Sequence, residues 1–146
     1  MATKPFKPST IMQALRIQVN EAVKIRLAEN VLGSLVLNTP VGQPGTWKSP
    51  PPPTYQPGHA RFSWSTTTGS AASGDRPGVD PGGAATIARG VSVIQRSKLS
   101  DIIYFTNTAP YIGRLNQGWS PQQPPGMIDR AIRGGISSLS STRITI

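Results

Sequence analysis

The sequence predicts an α+β fold: a small antiparallel β-sheet packed by a long N-terminal helix and two shorter helices, with long Pro- and Gly-rich loops between them. Three observations predict it. Over residues 10–35, Met12, Leu15, Val19, Ala22, Val23, Leu27, Val31 and Leu35 recur at steps of mostly three and four, the spacing of one helix face. Two short runs, 61–68 and 102–105, carry the β-branched and aromatic residues that suit strands. The 15 Gly and 15 Pro among the 146 residues concentrate in two blocks, so ordered elements alternate with long loops.

Residues 1–9 form an extended arm with Lys4, Lys7 and an anchoring Phe6. Thr10 and Gln13 have capping-box spacing at the start of the helical segment. Alternation at Leu15-Ile17-Val19 and Val23-Ile25-Leu27 also fits strands. The abundance of Gln, Ala, Leu, Arg, Glu and Lys, with no Gly or Pro from Thr10 to Leu32, favours helix. Ile11, Ile17 and Ile25 lie off the main stripe, so a second face meets a neighbour or widens the face buried in the chain's own core.

Asn38-Thr39-Pro40 ends that helix, and a Pro-rich loop fills residues 40–60. Its run Pro50 to Pro53 must be polyproline II, either a stiff surface loop or a ligand for an aromatic groove, with Trp47 and Tyr55 as pins or interface residues. Phe62, Trp64 and Thr66 then share one face of a half-buried strand. Residues 69–83 read as a flexible loop without a phosphate-binding motif. Ile87, Val91, Ile94 and Lys98 predict a second helix over 84–99. The stretch 101–127 is the densest in information: an apolar buried strand (Ile102 to Phe105), an Asn107-Thr108-Pro110 turn, one helical turn, Gly118, Trp119 and a Gln- and Pro-containing loop. Met127, Ile128, Ala131 and Ile132 predict a third, short helix stopped near Gly134-Gly135. Residues 10–135 thus make one domain, and 136–146 a polar tail. The β-prone end Arg143-Ile144-Thr145-Ile146 pairs with a partner or with the chain's own sheet edge, making Ile144 and Ile146 interface candidates.

Composition narrows the function classes. Hydrophobic residues make up 36%, enough for one modest core. Fifteen Lys+Arg against six Asp+Glu give a net charge of +9, which favours nucleic acid or an acidic protein surface. Apart from Lys4 and Lys7 the basic residues are scattered, as at Arg16, Lys24, Arg26, Arg61, Arg89, Arg96, Arg130 and Arg143. No Cys is present, which excludes disulfides, thiolate catalysis and Cys-based zinc sites. No apolar span or signal-like segment is evident, so the expectation is a protein made in the cytoplasm, with no membrane association. Catalysis needs convergent groups, and Glu21, Glu29, Asp75, Asp80, Asp101 and Asp129 are dispersed. His59, the single histidine, sits in a loop without a neighbouring carboxylate in sequence. The expectation is a non-enzyme without cofactor or metal.

The run from Ile103 to Ser120 resembles the signature of the neck or tail-completion family of tailed bacteriophages. It has the strand ending in Asn107, then Pro110-Tyr111, a helical turn ending in Leu115, and Gly118-Trp119-Ser120. Gln122-Gln123, Gly126-Met127 and the helix after them complete the order, and Thr39-Pro40-Val41, Arg61 and Trp64 also look like the family. The family's short Asp-Thr-Gly connection after Thr-Pro-Val is replaced here by the Pro-rich insertion. The resemblance implies a virion structural protein. It would form a homo-oligomeric ring, expected to be a hexamer, at the head-tail junction, as neck connector or tail terminator. Its partners would be the connector or head-closure and tail proteins, with non-specific contact to DNA passing through the lumen. It also implies packing roles for Tyr111, Leu115 and Trp119 against the core. The alternative function is a small basic nucleic-acid-binding protein, whose affinity would fall steeply with salt.

Overall fold

A 31-residue helix, α1 (Pro8–Asn38), opens the fold. The computed structural model describes residues 8–42, 53 and 56–139, with 8–19 described as backbone alone. The arm, Trp47 and Tyr55 of the Pro-rich loop, and the tail with Ile144 and Ile146 lie outside the described residues. Helix α1 begins two residues before the expected Thr10 cap. Pro8 accounts for this: a proline in the first turn has no N–H to satisfy and a φ already set for the helix. From Asn20 on, the buried stripe starts later than the periodicity suggests. No residue from Asn20 to Leu27 is buried, whereas Ala28, Val31, Leu32, Leu35 and Val36 are.

Next come α2 (His59–Phe62), β1 (Trp64–Thr68), α3 (Ala84–Arg96), β2 (Ile103–Asn107), α4 (Ile112–Asn116) and α5 (Met127–Leu139). The two strands form an antiparallel pair in the register Trp64↔Asn107, Thr66↔Phe105 and Thr68↔Ile103. The fold class is therefore the expected α+β, with a long N-terminal helix and a minimal antiparallel sheet. Three local expectations are corrected. Arg61 and Phe62 belong to a helical turn and not to the strand, because Gly58 and His59 accept the backbone bonds of Phe62 and Ser63. The strand around Phe105 is half-buried along its whole length, and Ile102 before it is 64% exposed. The last helix runs through Gly134-Gly135 to Leu139 instead of stopping there.

Two glycines explain how the helices come together. A Cβ on Gly135 would lie 2.7 Å from the Val31 Cα, so α5 and α1 touch backbone to backbone at that point. A Cβ on Gly90 would lie 2.3 Å from Leu32 Cδ2 and 2.6 Å from Thr66 Oγ1, so α3 wedges between α1 and β1 only because that position is bare. The main core forms at these crossings, from the α1 stripe, Trp64, Ile94 and Ala131. A second cluster joins Ala60, Ala109, Tyr111, Leu115 and Met127.

Gly135→Ala is expected to destabilise the fold by about 1–3 kcal/mol, because overpacking against a backbone outweighs the gain in helix propensity. Gly134→Ala, whose Cβ would meet only Ser34 Oγ at 3.4 Å, is expected to stabilise by about 0.5–1 kcal/mol. Denaturant midpoints of the two variants check both signs.

Candidate functional site

The stretch 103–127 folds as one joint whose parts bond to each other. Asn107 ends β2 and turns the chain: its Nδ2 donates to Ala60 O at 2.8 Å, and its Oδ1 accepts the Ala109 N–H at 3.0 Å. Pro110 is exposed beyond that turn, while Tyr111, 3% exposed, starts α4 from inside the second cluster. Leu115 and Met127 pack there with it. Helix α4 closes in a Schellman motif. Trp119 N–H donates to Arg114 O at 3.2 Å, Gly118 N–H donates to Leu115 O at 3.1 Å, and Gly118 takes φ 87°. Gly118 is also held bare by Pro125, whose ring would lie 2.7 Å from an added Cβ.

The Gln- and Pro-containing loop is knitted back onto α4 and α1. Asn116 O accepts Gly126 N–H at 2.8 Å, and its Oδ1 accepts Ile128 N–H at 3.0 Å, which satisfies a free amide at the start of α5. Gly126 meets this bond at φ 83°. Arg130 donates to the Pro125 carbonyl, to Pro124 O at 2.8 Å and to Gln123 Oε1 at 3.1 Å. Gln122 Nε2 reaches Val41 O at 3.1 Å, tying the loop to the end of the first helix. The expected core role holds for Tyr111 and Leu115, but Trp119 is only half-buried. It occupies the position after the Schellman glycine and lies under the Arg114 guanidinium, 5.3 Å from its ring centroid, at the edge of the joint.

His59 is the residue that sequence reasoning misplaced. It is 7% exposed, and its Nε2 lies 2.8 Å from Asp75 Oδ1, a carboxylate supplied by the loop sixteen positions on. Its Nδ1 lies 2.6 Å from Gly78 O, an acceptor, so that nitrogen carries a proton. Ser63 Oγ stands 3.3 Å from Nε2 but donates to His59 O at 2.8 Å. A nucleophilic triad needs the acid and the hydroxyl on opposite ring nitrogens. Here both face Nε2, so the trio clasps a loop and does not activate the serine.

That loop, residues 69–83, is irregular as expected and is also anchored. Gly78 sits on the Phe62 ring, 2.4 Å from where a Cβ would be. Arg76 and Arg89 place their guanidinium carbons 5.7 and 4.8 Å from the same ring centroid. Asp80 closes the loop into α3 by accepting Gly83 N–H at 3.1 Å and Thr86 N–H at 2.8 Å. Desolvation pushes the Asp80 pKa up, but the hydrogen bonds from Thr86 and Gly83 and the field of Arg89 outweigh it and hold the carboxyl below its ordinary value.

Among the described residues, no group of three His, Asp or Glu could hold a metal ion, and no helix is long and apolar enough to cross a membrane. Asp129 pairs with Arg133 at 2.9 Å on an exposed helix face, and Asp101 accepts Lys98 N–H at 2.7 Å. Beside β2, a cleft of about 400 Å³ opens between α1 and α5. No family model matches this chain, and neither does any curated protein or solved structure.

Leu115→Ala is expected to cost about 2–5 kcal/mol as a buried truncation. Trp119→Ala is expected to cost only about 1–2 kcal/mol, from partial burial and one cation–π contact. Equilibrium unfolding of both variants tests this order. Because the folded-state pKa of Asp80 is lowered, its contribution to stability is complete above the unfolded-chain value and is lost as pH falls through the folded one. Unfolding midpoints followed through the acid range should show this decline, and Asp80→Asn should flatten it.

Proposed function

We propose that the chain is a structural subunit of a tailed-bacteriophage virion. In this reading it forms a homo-oligomeric ring, taken as sixfold, that joins the connector to the tail as a neck or tail-completion protein. The observation that carries this reading is the organisation of the motif segment. Asn107, Tyr111, Leu115, Gly118, Gly126 and Met127 all shape backbone or fill the second core cluster, as in a joint built for geometry. The surface of the chain supports the same reading. Leu37, Ile102 and Ile136 are 55%, 64% and 51% exposed, and no residue of α1 from Asn20 to Leu27 is fully buried. Apolar surface of this kind suits a subunit completed by neighbours.

The nucleic-acid reading draws less support because several basic side chains are engaged within the chain. Arg61 and Lys24 donate to backbone carbonyls, and Arg130 donates to Pro124 O and to Gln123 Oε1.

Mass spectrometry of purified phage particles is expected to find the protein as a stoichiometric virion component. Absence from the particles, together with salt-sensitive DNA binding by the isolated chain, overturns the proposal.

A further inference from the structure

A pocket of about 410 Å³ opens between β1, α3 and the loop that joins them. Its volume is within the range of sites that hold a small organic molecule. Two guanidinium groups line it, Arg76 from the loop and Arg89 from α3, together with Ser65 and Ser73. Trp64, Ala72 and Val93 supply an apolar part. The cationic donors thus come from two separate elements and converge on one space.

Both cations are positioned by the fold itself. They stack about the same Phe62 ring, which Gly78 approaches closely enough to hold the loop against it. Arg76 Nη2 donates to Ser65 Oγ at 3.2 Å, and Arg89 Nη2 donates to Phe62 O at 3.0 Å. A guanidinium has five N–H groups, and among the described residues each of these two makes that one hydrogen bond. Neither forms an ion pair with a described carboxylate. The two acids of the loop are engaged elsewhere. Asp75 faces His59 at 2.8 Å, while Asp80 accepts the amides of Gly83 and Thr86 and feels Arg89 only through its field. Two like charges gathered on one ring repel each other, and an anion bound between them relieves that repulsion.

We propose that this pocket binds a phosphate monoester, with Arg76 and Arg89 on the phosphate and the apolar part receiving the organic group. A monoester carries about −1.5 to −2 charges at neutral pH and presents three strong acceptor oxygens, which suits two forks that approach from different elements. A carboxylate has one charge and two coplanar oxygens, which a single fork satisfies. A phosphodiester also has a single charge, one short of the two guanidiniums. Ser65 Oγ accepts from Arg76, so its own O–H is left to donate to a remaining phosphate oxygen. The site stands whether or not the chain forms a ring.

Titration calorimetry of the full chain with phenyl phosphate, inorganic phosphate, benzoate and a short oligothymidylate tests it. Phenyl phosphate is expected to bind once per chain and more tightly than the other three. Arg76→Gln and Arg89→Gln are each expected to weaken it by about tenfold or more, through loss of a charge-assisted hydrogen bond. Arg133→Gln removes the same charge from α5, which does not line the pocket, and is expected to leave the affinity within about twofold because a distant exposed charge is screened. Circular dichroism checks that each variant is folded. Arg76→Lys, which keeps the charge but not the fork, is also expected to weaken binding, and it decides the matter if a Gln variant unfolds. Absence of phenyl phosphate binding, unchanged affinity in Arg76→Lys, or equal weakening by Arg133→Gln overturns the proposal. So does benzoate, inorganic phosphate or the oligonucleotide binding as tightly as phenyl phosphate.

Discussion

The end of the first helix is the point on which the rest of the structure depends. A helix leaves its last carbonyls without partners, and here nearby side chains supply the donors. Thr39 Oγ1 donates to Leu35 O at 2.7 Å and accepts Trp64 Nε1–H at 2.8 Å, so one hydroxyl both closes α1 and fixes the first residue of β1. Arg61 completes the closure. Its Nε donates to Thr39 O at 2.7 Å, and its two terminal nitrogens donate to Leu37 O at 3.0 Å and Pro81 O at 2.6 Å. A cation on helix carbonyls is also favoured by the helix dipole. One guanidinium therefore holds the end of α1, the turn before β1 and the loop before α3 in a single arrangement. The extended backbone that alternation suggests for Arg61 gives way to a helical turn in which this reach is made.

Packing beyond that node follows from absent side chains as much as from present ones. Gly83 carries α3 past the end of α1, where a Cβ would lie 2.7 Å from Val36 Cγ1. Gly90 and Gly135 then let α3 and α5 approach α1 on different sides. With so small an apolar content, close approach lets a few residues make a sealed core: Leu32, Val36 and Ile94 are fully buried. The second cluster under Tyr111 is reached through Ala60 and Ala109, small residues that bring the α2 turn onto the joint. The clasp of His59 to Asp75 and Gly78 then covers the Tyr111 side, with the two rings 6.3 Å apart.

What was legible in the sequence was what depends on local periodicity. The long helix, the second helix and the strand-turn-helix order around Asn107 and Gly118 all follow from spacing and turn chemistry. The illegible parts depend on groups that meet only after folding. Gly134-Gly135 reads as a stop because glycine commonly ends helices, yet Gly135 serves here to admit a neighbouring backbone. The signal was present in the apolar stripe, since Ile132 and Ile136 continue at four-residue spacing through the glycines. His59 reads as unpartnered because Asp75 is distant along the chain, and nothing local marks the pair. Trp119 reads as core because large aromatics usually are. Its place one residue after a left-handed glycine instead assigns it to the cap of a five-residue helix, where the ring packs back on Arg114.

The same distinction changes the meaning of the net charge. A value of +9 invites a polyanion, but a count of charges does not say where their donors point. Lys24 caps the chain between α3 and β2, donating to Lys98 O at 2.7 Å, to Leu99 O at 3.0 Å and to the Asp101 carbonyl. Arg61 does the same for α1, and Arg130 for the loop before α5. Each tames carbonyls that a Pro- and Gly-rich chain leaves outside helices and strands, where regular backbone partners are lacking. In a fold with few acidic residues these cations act as internal connectors, and they are tied to loops that join the elements. An excess of positive charge here is thus partly the physical counterpart of an excess of loop.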